Sequence, residues 1–201
     1  MERLLEGYRR FRETEWPERR ALFETLARDG QAPQAMVIAC SDSRVDPAMI
    51  FGAGPGDLFV LRNIANLVPP SQPEARDHAA SAALEFAVRV LEVPHLIVMG
   101  HAMCGGVRAL LHGAPHPAGD FLTPWMRIAE PARRRALACD PADPQTACEH
   151  EVVKLSLENL RTFPWIAERV DAGRLRLHGA TFDIRSGVLF ILQADGSFAP
   201  A

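Results

Sequence analysis

The stretch Ala35-Met36-Val37-Ile38-Ala39-Cys40-Ser41-Asp42-Ser43-Arg44 decides both the fold and the chemistry. Its apolar run reads as a buried strand, and a cysteine, an aspartate and an arginine follow where that strand opens into a loop. A second stretch has the same plan. His95-Leu96-Ile97-Val98-Met99-Gly100 leads into His101-Ala102-Met103-Cys104-Gly105-Gly106. Two thiols, one imidazole and one carboxylate are a full tetrahedral set for zinc. Two such strands lying side by side would bring Cys40, Asp42, His101 and Cys104 to one point.

Working outward, residues 3–28 carry apolar side chains at helical spacing, with a break expected near Pro17 and a stop at Gly30. Asp46-Pro47 opens a short helix through Phe51, and Leu58–Leu61 is a second strand. A loop covers 66–77 and an alanine-rich helix is expected over 78–91, followed by the strand at 95–99. Gly105-Gly106 leads into a helix through Leu111, and a Pro/Gly loop spans 112–120. Helices are expected over 124–138 and 146–163. Arg174–His178 and Gly187–Leu192 read as strands joined by the turn Arg185-Ser186-Gly187. Alternating strands and helices imply an α/β fold: a mainly parallel central sheet flanked by helices, with an antiparallel C-terminal edge. Sites in such sheets form beyond the carboxyl ends of the strands, where both clusters sit.

The chain has 201 residues, 48% hydrophobic and 23% charged, which suits a single domain over 1–201 with 1–30 as a helical arm. A net charge of -3 argues against a nucleic-acid partner, and no apolar run approaches a membrane span. The charged start Met1-Glu2-Arg3-Leu4-Leu5-Glu6 lacks a signal-peptide core, so a cytoplasmic location is expected. In that reducing setting the four cysteines read as ligands or buried hydrophobes rather than disulfides. Cys139 and Cys148 have no ligand-like neighbours and read as structural.

Asp42 has two possible partners, a metal or Arg44, whose guanidinium can hold it in a forked ion pair. On the metal, Asp42 closes the site. On Arg44, it leaves the fourth position to a water that can ionise near neutral pH. Two thiolates neutralise the zinc charge, so activity rising toward alkaline pH is expected.

At these residues the chain resembles the β-class carbonic anhydrases. The resemblance runs through Ala39–Val45, Gly56–Asn66, Ala83–Val88, Gly100–Gly106 and the segment Leu177-His178-Gly179 to Gly187. It implies that Cys40, His101 and Cys104 bind Zn2+, that Asp42 and Arg44 are a switchable gating dyad, and that zinc-bound hydroxide converts carbon dioxide to bicarbonate and a proton. It implies a homodimer or dimer of dimers in which the N-terminal arms pack on partner subunits. It also implies a substrate pocket formed by Gln31, Phe59, Ile64, Phe86 and the Gly105 N–H. Some members hold an inhibitory bicarbonate with a tryptophan, an arginine and a tyrosine. The matching positions here are Val37, Arg62 and Phe182, which leaves one donor of three and implies an open site with Asp42 on Arg44. Two other readings share the metal set: hydrolysis of carbonyl sulfide or carbon disulfide, and a non-catalytic zinc or bicarbonate sensor.

Overall fold

The structure is a computed structural model that describes residues 1–72, 79–115 and 119–201. Six strands, β1 (Ala35–Cys40), β2 (Leu58–Asn63), β3 (His95–His101), β4 (Arg176–Asp183), β5 (Val188–Leu192) and β6 (Phe198–Pro200), form one sheet in the order β2-β1-β3-β4-β5-β6. The first four strands of that order run parallel, and β5 and β6 are antiparallel. The expected mixed sheet is therefore present, as is the hairpin at 185–187.

Every residue of β1 is buried, which marks a central strand covered on both faces. Met36 and Ile38 join Leu96 and Val98 against Leu84, Val88, Val153 and Leu160 on one face. Val37 and Ala39 join Met99 and Ala180 on the other, packed against Ile50, Phe51 and Ile191. Helix α8 (Pro144–Leu160) lies along the first face and supplies Val153 and Leu160. Beyond the strand ends a third cluster surrounds Cys40 and Cys104 with Val107, Met126, Cys148 and Val152.

Helices α1 (Glu2–Arg10) and α2 (Trp16–Asp29) have no buried residue, and Leu4 and Tyr8 are 73% and 58% exposed. Between them Phe11–Glu15 is a wide π turn whose flanking residues stay right-handed. The break expected at Pro17 is thus absorbed one turn upstream, and the proline sits in the first turn of α2 where its missing N–H is harmless. Gly30, at φ 85°, ends the arm as expected.

Other elements differ in extent. The helix expected over 78–91 is α4 of this fold (Ala79–Glu85) followed by a π turn, Phe86–Val90. His78, Pro73 and His116 lie outside the described residues. The 124–138 helix is two, Leu122–Met126 and Glu130–Ala138, joined by a 3-10 turn. The strand expected over 174–178 is displaced to Arg176–Asp183, because Gly179 and Ala180 pair with β3 rather than interrupting the ladder. The helix Pro164–Asp171 and strand β6 were not expected, since Phe163 offers no side-chain cap and β6 has three residues. Cys148 is fully buried, but Cys139 is exposed, correcting its reading as a packed structural residue.

Gly100 shows how tightly β3 meets α8: a Cβ there would lie 2.7 Å from Val153 Cγ2. Gly100→Ala should destabilise the protein by about 1–3 kcal/mol in urea unfolding. Adding Val153→Ala should recover part of that loss. Equal stability of the wild type and Gly100→Ala would contradict this packing.

Candidate metal centre

Parallel pairing sets the site. In the β1–β3 register Ala39 lies opposite Met99, so Cys40 and His101 emerge at neighbouring strand ends. Cys104 follows one turn later as the residue capping helix α5 (Gly105–His112), after Met103 turns the chain at φ 59°. Candidate ligand atoms of Cys40, His101 and Cys104 lie within 4.8 Å of one another, all three side chains buried. The two sulfurs are 3.9 Å apart.

Backbone amides prepare both sulfurs for negative charge. The backbone amides of Asp42 and Ala65 favour a charged Cys40 sulfur, and those of Gly106 and Val107 a charged Cys104 sulfur. Ala65 and Asn66, next to the site, both take left-handed conformations, at φ 63° and 47°. Asn63 braces that turn with paired hydrogen bonds to the Leu67 backbone. With two thiols so close, Cys40 ionises first because Cys104 donates to it, and its charge then pushes Cys104 upward.

His101 is orphaned in an informative way. Its Nδ1–H donates to the Ala102 carbonyl at 2.9 Å, which leaves Nε2 as the ligating nitrogen. That Nε2 is buried without a hydrogen-bond partner. Burial opposes charging of the ring, but the neighbouring Cys40 sulfur outweighs it and raises the pKa, so a metal on Nε2 competes with a proton. Two close sulfurs and a free buried imidazole nitrogen are a donor set suited to zinc.

Asp42 sits beside this set without joining it. Arg44 Nε donates to Oδ1 at 2.9 Å and Nη2 to Oδ2 at 2.7 Å, and the Arg44 amide also reaches Oδ1 at 3.0 Å. Arg44 Nη2 is itself tied to the Met103 carbonyl at 3.2 Å. Asp42 Oδ2 remains 3.9 Å from His101 Nε2.

The carbonic anhydrase family profile matches residues 35–189. This chain belongs to the β-carbonic anhydrases. Over its full length it is 35% identical to β carbonic anhydrase 3 of Arabidopsis thaliana, covering 80% of that protein. It is 39% identical to a carbonic anhydrase of Pseudomonas aeruginosa, with 93% of this chain and 85% of that one aligned. The solved β-carbonic anhydrase CcaA superposes with a TM-score of 0.93 at 35% identity, over all of this chain and 92% of that one. Two tetrameric β-carbonic anhydrases of Sordaria macrospora are represented at a TM-score of 0.81 and 29% identity, covering 98% of each chain. The protein is thus a carbonic anhydrase by family, and its family is one of zinc enzymes.

The remaining expected site residues are scattered. Ile64 borders an open apolar groove of about 950 Å³ beside Ser41 and Asn63. Gly105 begins α5 at the site. Phe59 stacks on Phe86 with ring centroids 5.8 Å apart, and Phe86 is 44% exposed rather than core. Gln31 lies exposed in the link between α2 and β1. Sequence reasoning missed Glu149, a buried carboxylate on α8 that accepts from the Cys104 amide at 2.8 Å and from Gln145 Nε2 at 2.6 Å. Its signal was position: Glu149, Val153, Ser156 and Leu160 form one buried stripe, so a charged residue sits in core phase.

The Arg44 guanidinium holds the Asp42 carboxyl far below the ordinary carboxylate range. A carboxylate depressed by folding favours the folded state above its unfolded pKa, near 4, and gives that up as pH falls toward the folded value. Arg44→Gln should therefore be less stable than the wild type at pH 7, with the gap narrowing as pH is lowered to 3.5. Urea midpoints at the two pH values measure it, and a gap that widens on acidification would contradict the pairing.

Proposed function

We propose that this chain catalyses the reversible hydration of carbon dioxide to bicarbonate and a proton, with zinc held by Cys40, His101 and Cys104. The observation that carries this reading is the forked Arg44–Asp42 pair beside the unpartnered His101 Nε2. Zinc bound there supplies the Lewis acidity that makes water nucleophilic near neutral pH.

The chain's own groups do the rest. Arg44 keeps Asp42 ionised, so its carboxylate can accept a hydrogen bond from the attacking water and orient it toward carbon dioxide. The Gly105 N–H at the start of α5 and the Gln31 amide are donors for bicarbonate oxygens, and neither adds a charge that would retain the product. Free thiols at Cys40 and Cys104 fit a reducing cytoplasm. Among the described residues no helix is long and apolar enough to cross a membrane.

One chain does not gather the whole pocket. In the β1–β2 register Cys40 lies opposite Asn63 while Phe59 lies opposite Met36. Four strand residues put Phe59 roughly 13 Å below the site. We infer that Phe59, Phe86 and Gln31 serve the site of a second copy, in a homodimer or dimer of dimers. The arm supports the same reading, because its Leu4 and Tyr8 side chains stand exposed on their own chain.

Stopped-flow assays of zinc-loaded protein should show hydration above buffer at pH 8.5, and its absence would favour the non-catalytic sensor. Arg44→Ala should retain zinc and lose about 10–100-fold in kcat/KM. Sedimentation should show a dimer or tetramer, whereas Leu4→Asp/Tyr8→Asp should dissociate toward monomer and lose activity. A fully active monomer would contradict the shared pocket.

A further inference from the structure

Arg62 makes a fan of hydrogen bonds that the reaction chemistry does not require. It sits on β2 opposite Ala39, one residue short of the Cys40 position. Its Nε donates to the Cys40 carbonyl at 2.9 Å. Its Nη2 donates to the carbonyls of Asp42 at 2.6 Å and Val45 at 3.0 Å. Its Nη1 reaches Asp46 Oδ2 at 3.2 Å, while Asp46 Oδ1 caps the helix Pro47–Phe51 through the Ala48 and Met49 amides.

One guanidinium thus ties the end of β1, the middle of the loop and the next helix cap. Asp42 is gripped at both ends, its carbonyl by Arg62 and its carboxylate by Arg44. Fixing the backbone carbonyl fixes the direction in which the side chain leaves. The same bonds leave Arg62 little capacity for an anion, and its counterparts Val37 and Phe182 have no side-chain donors.

We propose that Arg62 is a positioning residue that clamps the 40–46 backbone and so holds Asp42 on Arg44 and away from the metal. This rests on the reading of Cys40, His101 and Cys104 as zinc ligands. A lysine keeps the charge but cannot reproduce the fork. Without the clamp, Asp42 would be free to leave Arg44 and to take the position on a bound metal that water would otherwise hold.

The test compares zinc-loaded wild type, Arg62→Lys and Arg62→Gln as full chains. Wild-type hydration activity is checked first, because its absence would defeat the functional reading and not the clamp. Both variants should fold, keep about one zinc per chain and lose about 10–100-fold in kcat at pH 7, with little change in KM. The deficit should shrink toward pH 9, where hydroxide ion competes better with a carboxylate. With cobalt(II) in place of zinc, the wild-type visible spectrum should respond to pH over the range in which its activity rises, and the variant spectra should respond only at higher pH. Wild-type rates and spectra in Arg62→Lys would overturn the proposal, as would a deficit of equal size at every pH. Loss of zinc from folded variants, or failure of both to fold, would assign Arg62 to the ligands or the fold and overturn it as well. If only Arg62→Gln fails to fold, the pH profile and spectrum of Arg62→Lys decide.

Discussion

The parallel pairing of β1 with β3 is the constraint on which the site depends. Cys40 and His101 are far apart in sequence, and they meet because Ala39 stands opposite Met99 in the ladder. A slip of one residue would turn each side chain to the opposite face and separate the donors. The register is held by burial on both faces: Met36 and Ile38 pack one way, Val37 and Ala39 the other, and none of the four is exposed. The same packing that stabilises the sheet therefore aligns the ligand set.

Around that set the backbone is arranged for anions. Four backbone amides favour charge on the two sulfurs, and one of them belongs to Ala65, in a left-handed pair with Asn66. Glu149 draws the remaining Cys104 amide backward and fixes the α5 start. On the other side Arg44 and Arg62 hold Asp42 from its two ends. The charges are divided accordingly: a Cys40 sulfur favoured as thiolate inside, a carboxylate stabilised by guanidinium outside.

Much of this was legible in the sequence. The apolar runs before Cys40 and His101 announced the strands, and the spacing of the metal-capable side chains announced the cluster. What was not legible depended on tertiary partners. The helix Pro164–Asp171 lacks a capping side chain, and β4 continues through Gly179 only because β3 pairs with it. In the sequence Arg62 is one donor left at an anion-site position; its four bonds to the 40–46 segment exist only in the folded chain. Phe86 lies between the buried Leu84 and Ala87, yet it stands half-exposed against Phe59.

The central claim is that Asp42 stays with Arg44 when the metal is present. A crystal structure of the zinc-loaded protein at pH 7 tests it most directly. The expected result is zinc bound by Cys40, His101 and Cys104 with a solvent oxygen in the fourth position, and Asp42 still forked to Arg44. A carboxylate oxygen of Asp42 on the zinc, with Arg44 released, would contradict it.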